Sequence, residues 1–293
     1  MKLIRGIILA GGNGSRLFPL TYGTSKQLLP VYDKPMIYYP LSIFMHADIR
    51  DILIISTPQD LPKFKKLLGD GKRLGLNINY KIQAEPNGIA ESFLIGEDFI
   101  GDNNVCLILG DNIFHGENFI SIVNKAKHEL NKGISSIFGV SVNNPENFGV
   151  VEFDNENNIK EIIEKPSFTS SKIVVSGLYF YTNDVINYAK GLSPSVRGEK
   201  EITDINNYYL SSSRLKLNLL DSKISWIDTG TYSSLIEASK YFEDYETNTG
   251  KKVACVEEIA YRLGYINKKQ LEEIAESMFN SEYGKYLFKI INK

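Results

Sequence analysis

The residues with the clearest chemical potential lie close together near the start of the chain. Gly11, Gly12 and Gly14 follow an apolar run, and Arg16 and Lys26 come after them. Glycines tolerate positive φ angles and let backbone N–H groups approach a ligand. A guanidinium group offers a planar set of donors that suits phosphate oxygens. A glycine loop followed by two cations therefore predicts a triphosphate-binding site.

Two well-known phosphate-binding motifs do not match this segment. No Gly-Lys-Ser/Thr sequence follows the glycines, which excludes a P-loop. Leu17 occupies the place of the third glycine in the dinucleotide fingerprint, which excludes a Rossmann oxidoreductase. A plain glycine turn with a solvated arginine is the alternative, and the spacing of Arg16, Pro19, Lys26 and Pro30 favours the phosphate site.

Two aspartates follow short apolar segments that have the composition of buried strands. Asp111 comes after residues 105–109, and Asp228 comes after Trp226 and Ile227. Ligands gather at the carboxyl ends of parallel strands. We therefore predict that the two carboxylates jointly bind Mg²⁺, which prefers carboxylate and phosphate oxygens. The alternative for each aspartate is a helix N-cap.

A reaction in which one phosphate group attacks another needs this kind of site. The attacking phosphate is already ionised at neutral pH, so no general base is required. The scattered positions of His46, His115 and His128 are therefore no objection. Catalysis would rest on positioning and on electrostatic stabilisation of the phosphoryl oxygens.

Strands that alternate with helices would hold these groups in place. This pattern predicts an α/β fold with a doubly wound, mostly parallel sheet and a Rossmann-like core. The predicted strands of the first half are residues 4–10, 51–56, 77–82 and 105–109. The predicted helices of the first half are residues 35–47, 59–68, 89–99 and 117–130.

The second half of the chain has a different rhythm. A turn at residues 154–157 joins two predicted strands and indicates an antiparallel extension. The predicted strands here are residues 134–142, 150–153, 159–163, 174–181, 215–220 and 224–227. The predicted helices are residues 182–190, 201–210, 257–263, 269–278 and 283–291. We expect a catalytic domain over residues 1–240 and a small helical C-terminal region over residues 241–293.

Composition narrows the possible partners of the protein. The 293 residues include 33 basic and 35 acidic side chains, so no basic excess suggests binding to nucleic acid or to an anionic membrane. No apolar stretch is long enough to span a bilayer. Cys106 and Cys255 lie in apolar surroundings without metal-ligand spacing, which indicates reduced core residues of a cytoplasmic protein.

Longer motifs connect the chain with a known family. The sequence L-A-G-G-x-G-S-R-L-x-P-L-T, followed by S-K-Q-L-L-P, resembles the signature of the sugar-phosphate nucleotidylyltransferases. Residues 31–40 resemble the branch that uses dTTP and glucose 1-phosphate, and the match continues through residues 228–230 into the C-terminal region. The resemblance implies Mg²⁺-dependent transfer of a thymidylyl group to α-D-glucose 1-phosphate, the first step towards dTDP-rhamnose and related deoxysugars. It also implies direct in-line attack and a homotetramer.

The resemblance also assigns roles to residues. Arg16 would hold the leaving pyrophosphate, Lys26 would lie near the α-phosphate, and Asp111 and Asp228 would bind the metal. The nucleotide half would be about residues 1–115, with binding positions Gly11, Gly12, Gly14, Ser15, Arg16, Lys26, Gln27, Gln83, Pro86 and Gly88. The sugar half would be about residues 116–240, with binding positions Asn112, Gly149, Glu164, Lys165, Val175 and Gly177.

The base pocket is expected around Gln83, whose amide could pair with both a donor and an acceptor on a pyrimidine edge. The alternative for residues 86–88 is a plain Pro-Asn-Gly turn, and that for Glu164 and Lys165 is a solvated hairpin end. Residues 197–204 also match the family, in a stretch that we interpret as structural. Residues 253–262 resemble part of a regulatory nucleotide site, or form a packing helix.

The alternatives to this activity concern the nucleotide and catalysis itself. A uridylyl- or cytidylyltransferase would share the chemistry and differ in a few base contacts. A non-catalytic sensor of nucleotide sugars would be expected to lack the cations or the metal-binding carboxylates, and all four residues are present.

Overall fold

The computed structural model describes residues 2–12 and 14–292, so Asn13 of the glycine loop lies outside the described residues. The strands are β1 (Ile4–Ala10), β2 (Pro30–Val31), β3 (Lys34–Pro35), β4 (Asp51–Ser56), β5 (Asn77–Ile82), β6 (Asn104–Leu109), β7 (Asn112–Gly116), β8 (Ser135–Ser141), β9 (Gly149–Phe153), β10 (Ile159–Glu164), β11 (Ile173–Tyr181), β12 (Leu215–Leu219) and β13 (Ile224–Asp228). The helices are α1 (Tyr38–His46), α2 (Leu61–Leu68), α3 (Glu91–Ile95), α4 (Glu97–Ile100), α5 (Phe119–Leu130), α6 (Val185–Gly191), α7 (Ile202–Ser211), α8 (Tyr232–Thr249), α9 (Val256–Arg262), α10 (Lys268–Ser277) and α11 (Glu282–Ile291).

A large sheet forms the centre of the protein, with the strand order β10-β9-β11-β6-β1-β4-β5. Strands β5, β4, β1 and β6 run parallel, and β11 joins them antiparallel to β6. The side chains of Ile7, Ile8 and Ile54 have no exposed surface. This two-sided burial is typical of a parallel sheet covered by helices on both faces.

Helices pack on both faces of this sheet. Ile8 of β1 belongs to a core cluster with Phe44 of α1 and Ile259 of α9. Ile7, its neighbour in β1, faces the other way and packs in a cluster with Phe93 of α3. Successive residues of a strand point to opposite faces, so β1 supplies both cores. The predicted doubly wound α/β fold is confirmed.

A separate two-stranded sheet was not fully anticipated. The strand β7 was absent from our predictions, because its sequence Asn-Ile-Phe-His-Gly is short and mixes polar and apolar residues. It pairs antiparallel with β13, and the register places Asn112 opposite Asp228. This pairing brings two regions that lie more than one hundred residues apart in sequence to one place.

Two predicted elements needed correction. The helix predicted at residues 89–99 is divided into α3 and α4 at Gly96, where a Cβ atom would lie 3.0 Å from the Ile7 side chain. The helix predicted at residues 35–47 begins later, because Pro35 pairs with Pro30 between β2 and β3. The strand predicted at residues 215–220 is present as β12, and it runs parallel to β8.

The predicted hairpin between β9 and β10 is confirmed. Its turn is closed by Asp154, whose carboxylate accepts hydrogen bonds from the backbone N–H groups of Glu156 and Asn158, both at 2.9 Å.

None of the helices in residues 2–12 and 14–292 is both long and apolar enough to cross a membrane.

Candidate active site

A cavity of about 730 Å³ opens beyond the carboxyl ends of β1 and β6. Ligands of doubly wound proteins bind at this edge of the sheet. Many of the predicted site residues line it, although they come from distant parts of the chain. The predicted residues in its lining are Ser15, Arg16, Asp111, Asn112, Gly149, Glu164, Lys165, Val175, Gly177 and Asp228.

Two carboxylates and one ammonium group meet at the floor of this cavity. The Nζ atom of Lys26 lies 2.7 Å from Oδ2 of Asp111 and 3.8 Å from Oδ1 of Asp228. Asp111 directly precedes β7 and Asp228 ends β13, so the pairing of these strands brings the carboxylates together. Lys26 begins a short turn of 3₁₀ helix, and only 7% of its surface is exposed.

The electrostatic environment of the two aspartates differs. Burial alone would raise the pKa of Asp111, but the charge and hydrogen bond of Lys26 hold it below its usual value. Burial and the negative charge of Asp111 raise the pKa of Asp228, and the positive charges of Lys26 and Arg16 offset only part of this effect. The two neighbouring carboxylates thus destabilise each other's charged forms, which favours binding of a further cation between them.

The donor set fits a magnesium ion. Neither aspartate serves as a helix cap, because Asp111 precedes a strand and α8 is capped by the side chain of Thr231. Within the described part of the chain, no group of three or more His, Cys, Asp or Glu residues could hold a metal. Two carboxylates that leave the remaining positions to phosphate and water suit Mg²⁺ better than Ca²⁺ or structural Zn²⁺.

The glycine loop leads from β1 towards the cavity. Gly14 has a φ of +57°, and its carbonyl accepts a hydrogen bond from Thr21 Oγ1 at 2.8 Å. Gly12 has a φ of +89°, and among residues 2–12 and 14–292 no heavy atom outside its own chain neighbours lies within 4 Å of an added Cβ. The loop is therefore fixed at Gly14, and the described residues leave space beside Gly12 where a phosphate group could approach.

Arg16 and Gln27 have different positions relative to this loop. The Arg16 guanidinium packs against the turn after β13, because its carbon and both terminal nitrogens lie 3.2 Å from a Cβ built on Gly230. Gln27 is buried, and its Cγ atom lies 2.9 Å from a Cβ built on Gly110. Arg16 thus lines the cavity, whereas Gln27 supports the backbone next to Asp111.

Gln83 directly follows β5, and only 6% of its surface is exposed. Its Nε2 donates to the Gly88 carbonyl at 3.2 Å and to Glu91 Oε2 at 2.7 Å. Its Oε1 lies 2.9 Å from a Cβ built on Gly11. Both amide hydrogens are therefore used within the protein, and Oε1 is the end that faces Gly11. The binding of a base by Gln83 stays a prediction.

The loop that carries Pro86 and Gly88 is pressed against another part of the chain. A Cβ atom on Gly88 would lie 2.4 Å from the carbonyl oxygen of Lys200, and its φ is +103°. The backbone N–H of Lys200 donates to the Asn87 carbonyl at 2.7 Å. Pro86 is exposed at the tip of this loop. The loop is thus a tightly placed element, in contrast to a plain surface turn.

The far side of the cavity is built around Glu164. Its Oε2 accepts a hydrogen bond from Thr203 Oγ1 at 2.6 Å. A Cβ on Gly149 would lie 3.1 Å from the same hydroxyl and 3.3 Å from Glu164 Oε2, so the glycine makes room for this contact. Lys165 follows with a φ of +44°, unusual for a residue with a side chain. Glu164 and Lys165 both line the cavity, with Glu164 partly buried and Lys165 exposed.

Asn112 holds three elements together beneath the cavity. Its Oδ1 accepts hydrogen bonds from the Gly177 N–H at 3.0 Å and from Trp226 Nε1 at 2.7 Å. Its Nδ2 donates to Asp111 Oδ1 at 3.1 Å. The amide therefore orients Asp111, and much of its hydrogen-bonding capacity is used within the protein. Val175 is a buried apolar part of the same wall.

Sequence reasoning missed several residues of the cavity, of which Arg197 matters most. We interpreted its stretch as structural, but the guanidinium lies in the cavity lining, 3.7 Å from Glu164 Oε1. Its Nε and Nη2 atoms donate to Glu201 and Glu199. The one sequence signal that could have identified Arg197 was the density of charged residues in Arg-Gly-Glu-Lys-Glu, residues 197–201. Thr203 and Trp226 were also missed.

Comparisons with known proteins agree with this geometry. A family model described as Nucleotidyl transferase matches residues 5–245. A glucose-1-phosphate thymidylyltransferase of Neisseria meningitidis is 49% identical over 290 residues, which cover 99% of this chain and 100% of the relative. The enzyme of that name from Mycobacterium tuberculosis is 48% identical with the same coverage.

Solved structures show the same relationship. A crystal structure assigned to a glucose-1-phosphate thymidylyltransferase from Bacillus anthracis, in complex with a sucrose, has a TM-score of 0.75 and 41% identity. The aligned region covers 81% of this chain and 94% of the Bacillus anthracis chain. A UDP-glucose pyrophosphorylase complexed with UDP-glucose shares the fold, with a TM-score of 0.73 at 23% identity over 84% of this chain and 100% of its own.

Proposed function

The chain belongs to the nucleotidyl transferase family, and on this premise we propose that it transfers a thymidylyl group from dTTP to α-D-glucose 1-phosphate. The products are dTDP-glucose and pyrophosphate. The observation that carries the proposal is the meeting of Lys26, Asp111 and Asp228 at the floor of a cavity that Arg16 also lines. Near-identical length and 49% identity to a thymidylyltransferase support the choice of substrates.

The reaction is a direct in-line displacement. An oxygen of the sugar phosphate forms a bond to the α-phosphorus of dTTP, and the bond from this phosphorus to the bridging oxygen breaks. The electron pair of the broken bond stays on pyrophosphate. The attacking oxygen is already anionic, so the absence of a histidine from the described cavity lining is compatible with this step.

The chain supplies positive charge on both sides of the reacting phosphorus. On the nucleotide side, Arg16 would bind the leaving pyrophosphate and Lys26 would face the α-phosphate. On the sugar side, Lys165 and Arg197 line the cavity next to Glu164, where they would bind the sugar phosphate while Glu164 accepts hydrogen bonds from sugar hydroxyls. Holding two polyanions in line supplies much of the rate enhancement.

Asp111 and Asp228 would hold Mg²⁺. When bound, the ion would neutralise phosphate charge and stabilise the charge that develops in the transition state. The raised pKa of Asp228 beside Asp111 supports this assignment, because two neighbouring carboxylates are stabilised by an added cation.

The experiment that tests the function is a comparison of nucleotides. We expect pyrophosphate release with glucose 1-phosphate and Mg²⁺ to be fastest with dTTP. UTP lacks the C5 methyl group and carries an added 2′-hydroxyl group. It should be slower by about 10–200-fold from the methyl group alone, because one methyl group in an apolar pocket contributes about 1–3 kcal/mol. Equal turnover with dTTP and UTP would contradict the thymidylyl assignment. No release with any of dTTP, UTP, CTP and ATP would favour another sugar phosphate or a sensor.

A substitution at Gly88 should weaken nucleotide binding selectively. Alanine there would collide with the Lys200 backbone and strain a φ of +103°, so the loop must move. We expect the KM for dTTP to rise on the order of tenfold, the value of one lost hydrogen bond of about 1.4 kcal/mol, with little change in the KM for glucose 1-phosphate.

The matched control for this substitution is Gly101→Ala. Gly101 also has a positive φ, of +54°, but nothing lies within 4 Å of an added Cβ. This variant carries the backbone strain without the collision. Equal KM values for dTTP in the two variants would show that the contact between Gly88 and Lys200 has no part in nucleotide binding.

The assembly and location of the protein are further parts of the proposal. We propose the predicted division at residue 240, a homotetramer, and a cytoplasmic location that suits two free, buried cysteines. Regulation by dTDP-rhamnose at residues 253–262 is a hypothesis. Within one subunit, two carboxylates of this segment already have partners: Glu257 accepts a hydrogen bond from Tyr283, and Glu258 accepts one from Tyr286.

A further inference from the structure

The carboxylate of Glu91 joins two parts of the predicted base pocket. Its Oε2 accepts a hydrogen bond from Gln83 Nε2 at 2.7 Å, and its Oε1 accepts one from Asn87 Nδ2 at 2.9 Å. Glu91 is the first residue of α3, which is anchored in the core by Phe93. The carboxylate therefore ties a helix to the loop that carries Gly88.

These contacts determine which end of the Gln83 amide is free. Nε2 also donates to the Gly88 carbonyl at 3.2 Å, so both of its hydrogens are used. A carboxylate and a carbonyl can only accept hydrogen bonds, and a reversed amide would place its oxygen against two acceptors. The Gln83 oxygen is therefore held on the side of Gly11, 2.9 Å from a Cβ built there.

An acceptor at this position distinguishes pyrimidines by the atom N3. Thymine and uracil carry a hydrogen on N3, whereas N3 of cytosine is an acceptor. Two acceptors that face each other in a buried site leave both groups unpaired, which is costly. The backbone N–H of Gly88 has no partner among residues 2–12 and 14–292, and it could donate to a ring carbonyl.

We propose that Glu91 is a positioning residue that makes the site select thymine and uracil over cytosine. It acts through Gln83 and need not touch the base. The inference rests on the proposed function, because it assumes a pyrimidine nucleotide at Gln83. The Glu91 contact would not distinguish thymine from uracil, because these bases differ at the C5 methyl group alone and share the N3 hydrogen.

The test is the substitution Glu91→Gln, which changes the charge and keeps the shape. A glutamine amide can donate as well as accept, so a reversed Gln83 would keep this partner and would face one opposed acceptor, the Gly88 carbonyl, in place of two. We expect the ratio of kcat/KM for dTTP to that for dCTP to fall by about 10–100-fold, the value of one hydrogen bond to a charged group. The ratio of dTTP to dUTP should stay unchanged.

A matched control removes a similar charge nearby. The control is Glu97→Gln. Glu97 lies in the next helix, α4, where it pairs with the exposed Lys190 and has no contact with Gln83. Wild-type nucleotide ratios are expected for it. Glu91→Asp is a second variant, because it keeps the charge but shortens the reach. It should also lower the dTTP to dCTP ratio, and it carries the test if Glu91→Gln fails to fold.

The possible outcomes separate the inference from the function. An unchanged dTTP to dCTP ratio in Glu91→Gln would overturn the inference. If kcat/KM falls equally with dTTP, dUTP and dCTP, the ratio is unchanged and Glu91 only supports the fold. A failure of the proposed function would appear in the wild type, which would then release no pyrophosphate from dTTP. Titration with dTDP and dCDP gives the same comparison without turnover, since the gap between their Kd values should narrow in Glu91→Gln.

Discussion

Replacement of Lys26 by alanine should lower kcat by roughly 100–1000-fold, because its buried ammonium group is proposed to face the α-phosphate, where it would stabilise charge in the transition state. Its Nζ contacts Asp111 at 2.7 Å and approaches Asp228 at 3.8 Å, so its removal leaves two carboxylates without this counter-charge. Steady-state pyrophosphate release with saturating dTTP and glucose 1-phosphate measures the effect. The KM values should change less than kcat, since the interaction is strongest in the transition state.

The control for this variant is Lys63→Ala. Lys63 also contacts the N-terminal loop, through the carbonyl of Gly23, but its side chain is 42% exposed and is paired with Asp60. We expect nearly wild-type kcat for this control. A Lys26→Ala variant that is folded and retains more than about a tenth of wild-type kcat would remove Lys26 from the catalytic residues, because one such group is normally worth far more.

The second large effect is expected for the two aspartates. Asp111→Asn and Asp228→Asn should each lower kcat by roughly 100–1000-fold at fixed Mg²⁺, because each removes a charged oxygen from the proposed two-carboxylate metal site. Both variants should also need more Mg²⁺ for half-maximal activity. The double variant should be little worse than either single variant, since residues that act as one unit are non-additive.

Asp98→Asn serves as the matched control. The Asp98 side chain is 93% exposed and pairs with Lys81 away from the cavity. Wild-type dependence on Mg²⁺ is expected for it. Titration of Mn²⁺ into protein with dTTP provides a reading that does not depend on turnover. Unchanged metal affinity in both Asp111→Asn and Asp228→Asn would show that the metal is bound elsewhere.

Much of the fold could be predicted from local patterns. Strand β4 is a buried apolar run, whereas the edge strand β5 alternates polar and apolar residues, and both were predicted with their observed bounds, Asp51–Ser56 and Asn77–Ile82. The strand β7 and the break at Gly96 were missed. Both involve contacts between distant parts of the chain, since β7 pairs with β13 and Gly96 packs against Ile7 of β1.

The sequence by itself determined the chemical class of the protein. The glycine loop, Arg16, Lys26 and two aspartates at strand ends define the residue types that phosphate chemistry needs, because their spacing reflects a backbone close to a polyanion. The family resemblance then limited the activity to nucleotidyl transfer. These features are local, so they can be recognised without knowledge of the packing.

The tertiary structure alone decided how these groups are arranged. The pairing of β7 with β13 brings Asp111 and Asp228 to the same lysine, and no local pattern encodes a contact across more than one hundred residues. It also placed Arg197 in the cavity and fixed the Gln83 amide through Glu91. Such contacts depend on which side chains the packed elements bring within hydrogen-bonding distance, so they exist only in the folded chain.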